Sequence, residues 1–318
     1  MKKRVAIICG GRSSEHEISC ISARGVLGAI DRTRYEPVLI GITKSGKWVL
    51  IPEDHSMNIS GKTLPSVPES APAVVADVAG FTSAGRNLAI DIVFPLLHGP
   101  FGEDGTIQGL LEIADIAYVG SGVLASAVAM DKSFAKPIFA SQGIATAPGL
   151  VVKKSDWGNR SAEITKEVAA LGYPVFVKPA RGGSSRGTSK VKSEGDLLAA
   201  VLEAFTFDTK IMIESAIVGS EIECAVLEIE GQPQASIVGK IVIDSKFDFY
   251  DFEAKYLDGA TDIELPAPIT ATSAEAIRQA AIAAFTALGC SGLARVDFFL
   301  TTSGQVIINE LNTMPGFT

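Results

Sequence analysis

Short apolar runs alternate with helical patterns of apolar positions over the first 120 residues. Buried strands are predicted at residues 4–9, 35–42, 91–97 and 117–119, and helices at residues 15–29 and 105–113. Strands and helices that alternate at this spacing indicate a parallel sheet covered by helices. Residues 52–88 are rich in proline, serine and glycine, so we expect loops there with one or two short strands.

The rest of the chain mixes helices with paired strands. Residues 121–207 are predicted to form helices at 124–130, 131–142 and 194–205, and strands at 173–178 and 188–191. Residues 208–318 are predicted to form strands at 211–214, 222–229, 294–300 and 305–312, a loop at 245–268 and a helix at 273–288. The predicted fold class is therefore α/β (α+β mixed), with a Rossmann-like domain at 1–120 and α+β domains at 121–207 and 208–318.

The composition is that of an ordinary globular protein, with 47% hydrophobic and 20% charged residues. The formal net charge of −8 argues against a general nucleic-acid binder, which needs a basic face. No stretch approaches the roughly 20 apolar residues of a membrane span, and no signal peptide is recognised, so we expect a soluble, cytoplasmic protein. The four cysteines have no metal-binding spacing and are expected to be reduced and mostly buried.

Two apolar runs near the end of the chain flank a turn at Gly304 and predict a β-hairpin. Because side chains alternate between the faces of a strand, Arg295 and Asp297 share one face of the first strand. Glu310 and Asn312 share one face of the second strand, and antiparallel pairing can bring the two faces together. Two carboxylates and an amide oxygen suit Mg²⁺. A solvated strand face without a function remains the alternative.

A second candidate region joins Lys178, on a predicted strand, to a glycine- and serine-rich turn at residues 182–187. Glycine lets backbone N–H groups approach a ligand closely, and serine adds hydroxyl donors. The Walker order of residues is absent. A lysine on a largely buried strand requires an anionic partner, which favours a phosphate ligand. An ordinary flexible hairpin remains the alternative, and Lys132 and Lys255 are uninformative on their own.

Six segments in order along the chain together resemble the ATP-grasp ligases and, within them, the D-alanine–D-alanine ligases. They are GGRSSEHEIS at residues 10–19, HGPFGEDGT at 98–106, MDK at 130–132, KPARGGSS at 178–185, EAKY at 253–256 and NELNTMPG at 309–316. The resemblance covers essentially the whole chain. It implies a three-domain ATP-grasp fold. It also implies an enzyme that forms the D-Ala-D-Ala dipeptide through a D-alanyl phosphate intermediate for peptidoglycan synthesis.

The resemblance implies roles for individual residues in binding ATP and metal. Two Mg²⁺ ions, for which Mn²⁺ can substitute, connect the ATP phosphates to Asp297, Glu310 and Asn312. The other nucleotide contacts are Lys132, Lys178 and Lys255 for the phosphates, Ser185 in the turn, Glu214 and the Ile217 backbone for adenine, and Glu221 for the ribose.

The resemblance also implies which residues meet the amino-acid substrates. They are Glu15 for the ammonium of the first D-alanine, Ser184 and Tyr256 in a hydrogen-bonded set with Glu15, His98 near the substrates, and Arg295 and the Gly316 N–H for the tetrahedral oxyanion. The implied partners are thus ATP and D-alanine, with no nucleic acid and no membrane, and a homodimer is implied.

Two features depart from the family pattern. Arg186 replaces an apolar residue in the turn, and the sequence ends at Thr318, before a serine and a terminal helix of the family, so a truncated chain is expected. A ligase of D-alanine with D-lactate or D-serine, and a catalytically silent ATP-binding protein, remain open. A dinucleotide-dependent oxidoreductase, suggested by Gly10 and Gly11, is disfavoured because G-x-G-x-x-G is absent.

Overall fold

The computed structural model describes residues 2–52, 55, 57, 63–243 and 261–317. Within these residues the chain forms seven helices: α1 (His16–Ala29), α2 (Thr106–Ile113), α3 (Val123–Met130), α4 (Lys132–Ser141), α5 (Lys154–Leu171), α6 (Glu194–Phe207) and α7 (Ala271–Ala287).

The strands of the described chain belong to four sheets. They are β1 (Lys3–Gly10), β2 (Tyr35–Ile42), β3 (Trp48–Leu50), β4 (Val74–Asp77), β5 (Gly80–Ser83), β6 (Arg86–Asn87), β7 (Ile92–Pro95), β8 (Ala117–Tyr118), β9 (Gly149–Lys153), β10 (Val175–Pro179), β11 (Ser189–Val191), β12 (Lys210–Ser215), β13 (Gly219–Ile229), β14 (Gln232–Ala235), β15 (Gly239–Ile243), β16 (Thr261–Glu264), β17 (Leu293–Thr301) and β18 (Val306–Asn312).

The first sheet has the strand order β3-β2-β1-β7-β8. Strand β1 pairs in parallel with β2 and β7, and β7 pairs in parallel with β8, so the predicted parallel sheet is confirmed. The last six residues of β1 are buried, as expected for a central strand covered on both faces. Sequence analysis missed the antiparallel edge strand β3. It also expected one or two short strands in residues 52–88, where three (β4, β5 and β6) form a small sheet.

The second sheet is antiparallel, with the strand order β11-β10-β12-β9. Its core includes Val177 from β10, Ile213 from β12 and Val201 from α6. Sequence analysis missed β9 and α5. Helix α5 buries only Ile164 and Val168, so its apolar periodicity is too weak to predict a helix. Strand β12, expected in the third domain, pairs with β10 in this sheet.

The third sheet has the strand order β16-β15-β13-β17-β18, and β14 pairs with β13. The predicted hairpin is confirmed as β17 and β18, in which Asp297 lies opposite Glu310 and Arg295 opposite Asn312. Strands β14, β15 and β16 were not predicted. The predicted loop at 245–268 lies mostly outside the described residues, and its described part contains β16.

The chain divides into two compact units. The first consists of Met1–Ala127, Cys290–Gly292 and Thr313–Thr318, and the second of Val128–Gly289 and Leu293–Asn312. The division into three domains stays a prediction. None of the described helices combines the length and the apolar character needed to cross a membrane. All four cysteines are free, and three of them are buried, as predicted.

Candidate functional site

A cavity of about 320 Å³ lies in the second compact unit. Its walls come from strands β10 and β12, the turn after β10, and the hairpin of β17 and β18. It brings together nine of the residues implied by the family resemblance: Lys132, Lys178, Ser184, Ser185, Glu214, Ile217, Glu221, Asp297 and Glu310. Lys255 and Tyr256 lie outside the described residues.

The turn after β10, Gly182 to Gly187, forms one wall of the cavity. Ser184 and Ser185 have φ values of 50° and 55°, in the left-handed region. Each such residue costs about 1–3 kcal/mol, and conformations of this kind concentrate at ligand-binding sites. Arg186, the residue that departs from the family pattern, also lines the cavity.

Glu214 occupies a buried position on β12, at the edge of the cavity. One of its carboxylate oxygens is 2.6 Å from the Lys178 ammonium, and the other accepts a hydrogen bond from Lys136. Burial alone raises the pKa of Glu214, but Lys178 and Lys136 outweigh it and lower the pKa to about 2. Burial and Lys178 lower the pKa of Lys136 to about 8, against the opposing effect of Glu214. The Glu214 carboxylate is therefore ionised at neutral pH.

Lys132, the first residue of α4, connects the turn to the hairpin. Its ammonium donates to the Gly182 carbonyl at 2.8 Å and lies 3.0 Å from a carboxylate oxygen of Glu310. Across the cavity, Lys178 donates to the Asn309 side-chain oxygen at 3.2 Å. Two ammonium groups thus face two carboxylates and an amide around one cavity, which suits a ligand with several negative charges.

The hairpin side chains contact one another as strand alternation predicts. Arg295 donates two hydrogen bonds to Asp297, at 2.7 and 2.8 Å, and Asn312 donates to the same carboxylate at 3.1 Å. Burial lowers the pKa of Arg295, but Asp297 and Glu223 outweigh it and hold the pKa well above its ordinary range. Asn312 contacts the hairpin carboxylate of Asp297 but is not among the residues that line the cavity in the described part of the chain.

The donor set fits a hard divalent cation in part. Asp297 and Glu310 lie opposite each other, are mostly buried and both face the cavity, so their oxygens can share one ion. In the described part of the chain, no three His, Cys, Asp or Glu side chains gather closely enough to bind a metal. A metal at this hairpin therefore needs further oxygens, from the Asn312 amide, water or a phosphate.

The remaining predicted residues, Glu15, His98 and Gly316, belong to the first compact unit. Glu15 is buried just before α1, and the Gly99 backbone approaches its carboxylate so closely that a side chain at residue 99 would collide with it. Gly316 is exposed in the segment that follows β18.

His98 holds the segment that carries Gly316. With its proton on Nδ1, the ring donates to the Met314 carbonyl at 3.1 Å, and Nε2 accepts from the Ser22 hydroxyl at 2.8 Å. The Ser22 oxygen also accepts from the Phe317 N–H at 3.2 Å. A neutral ring satisfies this network, which ties residues 314–317 to α1.

Sequence analysis missed three residues of this region: Lys136, Asn309 and Lys190. Lys136 follows Lys132 by four positions, so the two share one helix face, which is a signal that the sequence contains. Asn309 precedes Glu310 and lines the cavity. Lys190 lines the cavity from β11, with its ammonium 6.0 Å from the centre of the Phe176 ring.

Two solved structures share this architecture. One is the VanG D-Ala:D-Ser ligase from Enterococcus faecalis, with a TM-score of 0.84 and 37% sequence identity. The match covers 100% of this chain and 92% of the VanG chain. The D-alanine–D-alanine ligase from Coxiella burnetii has a TM-score of 0.84 at 34% identity, covering all of this chain and 87% of that one. Together with the two antiparallel sheets around the lysine-lined cavity, they place the chain in the ATP-grasp class and confirm the predicted fold class.

Two family models match most of the chain. The model described as D-ala D-ala ligase N-terminus matches residues 4–121, and the one described as D-ala D-ala ligase C-terminus matches residues 138–318. The D-alanine–D-alanine ligase of Pseudarthrobacter chlorophenolicus is 51% identical over 332 aligned positions, covering 100% of this chain and 87% of that protein. The chain belongs to the D-alanine–D-alanine ligase family. It is therefore a ligase, and the use of ATP and a divalent metal ion follows from the family.

Proposed function

We propose that this chain joins two D-alanine molecules into a dipeptide at the expense of ATP, for peptidoglycan synthesis. The observation that carries the proposal is the cavity lined by Lys132, Lys178, Asp297 and Glu310, in which Lys132 pairs with Glu310 and Lys178 contacts Asn309. Such a site suits the triphosphate and its metal, and it lies in a chain that matches both family models. No nucleic-acid partner is proposed.

The nucleotide is proposed to lie along the cavity. Its phosphates contact Lys132, Lys178 and Lys255, with Ser185 in the turn, while adenine meets Glu214 and the Ile217 backbone and the ribose meets Glu221. The support is that all of these residues except Lys255 line one cavity. Lys255 rests on the family resemblance alone.

The metal site is proposed to comprise Asp297, Glu310 and Asn312, with two Mg²⁺ ions for which Mn²⁺ can substitute. The ions would neutralise charge on the phosphoryl oxygens during transfer. Two cations of the chain already contact these carboxylates, Lys132 at Glu310 and Arg295 at Asp297.

The amino-acid chemistry is proposed in two steps. The γ-phosphoryl group of ATP moves to the carboxylate of the first D-alanine, and the amine of the second then attacks the acyl carbon and releases phosphate. Glu15 is proposed to bind the ammonium of the first D-alanine, in a hydrogen-bonded set with Ser184 and Tyr256. His98 is proposed to lie near the substrates. Arg295 and the Gly316 N–H are proposed to stabilise the tetrahedral oxyanion. The support is the Arg295 guanidinium, a permanent cation on the strand face that also carries Asp297, and the hydrogen bond by which His98 holds the segment of Gly316.

The test is product analysis after incubation with ATP, Mg²⁺ and D-alanine, alone and with equimolar D-serine or D-lactate. We expect D-Ala-D-Ala and one phosphate per dipeptide. D-Ala-D-Ser is the second candidate product because one of the similar structures is a D-Ala:D-Ser ligase. A preference for D-serine or D-lactate would replace the proposed second substrate. ATP binding without any phosphate release would instead support the catalytically silent protein.

We also propose that the chain forms a homodimer, because the family resemblance implies one. We propose a cytoplasmic location, because the precursors of peptidoglycan are made in the cytoplasm. Sedimentation equilibrium of the purified chain tests the dimer. A mass of one chain, 33.3 kDa, at micromolar concentration would contradict it.

A further inference from the structure

Glu214 has two lysine partners that differ in their position around the cavity. Lys178 lines the cavity from β10 and also contacts Asn309, which lines it as well. Lys136 comes from α4, is buried, and is not among the cavity-lining residues that the structure describes. One partner of the carboxylate is therefore accessible to a ligand, and the other is not.

A nucleotide that enters the cavity changes the surroundings of Glu214. Its phosphates attract the Lys178 ammonium, whose contact with Glu214 is a close ion pair at 2.6 Å. A buried carboxylate that loses its only counterion is strongly destabilised in its charged form. Lys136 contacts the other carboxylate oxygen, is buried and does not line the described cavity, so we expect its contact to persist.

We propose that Lys136 is a positioning residue that keeps the Glu214 carboxylate charged and oriented toward the nucleotide base while Lys178 binds phosphate. The inference rests on the proposed function, in which Glu214 meets adenine. A charged carboxylate only accepts hydrogen bonds, so it selects a base edge that donates one, such as the 6-amino group of adenine. We expect Lys136 thereby to favour ATP over GTP, whose 6-oxo group only accepts hydrogen bonds.

The test measures nucleotide affinity by calorimetric titration of the whole chain with Mg-ATP and with Mg-GTP. Lys136→Met should raise the Kd of ATP roughly tenfold, the size expected for one charged hydrogen bond. The ratio of the Kd of GTP to the Kd of ATP should therefore fall. Because the 6-oxo group of GTP cannot donate to the carboxylate, the affinity for GTP should fall much less than the affinity for ATP. In steady-state assays KM for ATP should rise, while kcat and KM for D-alanine change less than about threefold.

Controls separate positioning from folding. Lys136→Arg should restore most of the ATP affinity, and Lys166→Met, which removes an exposed lysine on α5, should leave both nucleotide affinities unchanged. In a Glu214→Gln background, Lys136→Met should add little further loss, since its effect passes through the carboxylate. This double variant carries the test if Lys136→Met alone does not fold.

Three results would overturn the inference: an unchanged ATP affinity in folded Lys136→Met, an equal loss of ATP and GTP affinity, or a full additional loss in the Glu214→Gln background. The binding measurements do not need the reaction to occur. A chain that makes no D-Ala-D-Ala would therefore contradict the proposed function without deciding the role of Lys136.

Discussion

His98 in the first compact unit and Glu214 in the second are both buried polar residues, but they are held by different means. Two of the groups that hold His98 are neutral, a serine hydroxyl on one ring nitrogen and a backbone carbonyl on the other. Glu214 lies between two ammonium groups. Each arrangement satisfies its buried groups, which burial in an apolar interior requires.

The difference indicates what each cluster is suited for. Neutral hydrogen bonds fix direction and carry no net charge, so the bonds of His98 and Ser22 are suited to holding the segment of Gly316 in place. Ion pairs can exchange partners with a charged ligand, because a phosphate competes with a carboxylate for the same ammonium. Substitutions among the ion pairs should therefore change turnover or ligand affinity, and substitutions in the neutral network should change mainly stability.

The largest effect is expected at the ionic hairpin, where Asp297 holds Arg295 and is proposed to bind metal. Asp297→Asn removes the charge while keeping the shape, so we expect turnover to fall by about 10²–10³-fold, as for the loss of one strong electrostatic contact in an active site. The Mg²⁺ concentration needed for half-maximal rate should rise. Steady-state assays over a Mg²⁺ series measure both quantities.

Asp262→Asn is the matched control for this change, since Asp262 is an exposed aspartate on β16 of the same unit. Its rate and Mg²⁺ response should equal those of the unsubstituted chain. An Asp297→Asn variant with a normal rate at limiting Mg²⁺ would remove Asp297 from the metal site.

The Glu214 cluster should make stability depend on pH. Its two lysines lower the pKa of Glu214 to about 2 from the ordinary 4.5, so its stabilising effect is complete above pH 4.5 and lost as pH falls toward 2. This pKa difference corresponds to about 3 kcal/mol in the free energy of unfolding. Urea unfolding at several pH values should therefore show a steeper acid loss for the unsubstituted chain than for Glu214→Gln. Parallel curves for the two proteins would show that Glu214 is not held charged by its lysines.

The hairpin around Asp297 and the cluster around Glu214 differ in how far the sequence predicts them. The contact of Arg295 with Asp297, and the position of Glu310 opposite Asp297, follow from strand alternation and a short turn, which are local properties. The pair of Lys136 with Glu214 joins a helix and a strand 78 positions apart, and it depends on how α4 packs against the second sheet. Local patterns do not contain that packing, and the same holds for the weakly amphipathic α5.

Glu15 is the charged exception among the predicted residues of the first unit, and it tests whether that unit binds a cationic group. Glu15→Gln keeps the size of the side chain but removes the charge that a substrate ammonium would pair with. We expect KM for D-alanine to rise by about tenfold or more, the value of one charged hydrogen bond, with the Kd of ATP unchanged. Glu17→Gln, two residues along and paired with Lys44, is the control and should affect neither. An unchanged KM for D-alanine in Glu15→Gln would contradict the proposal that Glu15 binds the substrate ammonium.

The smallest effect is expected in the neutral network. Ser22→Ala removes the hydroxyl that bonds both His98 Nε2 and the Phe317 N–H, so two hydrogen bonds are lost and we expect a loss of about 1–3 kcal/mol in the free energy of unfolding. Ser126→Ala is the control, because this buried serine of α3 donates a single bond, to the Ser121 carbonyl, and its loss should be smaller. Since no charge is removed in either variant, the loss from Ser22→Ala should be the same at low and high salt in urea unfolding. A loss that shrinks as salt is added would show that His98 is held by charge after all, and the contrast with Glu214 would disappear.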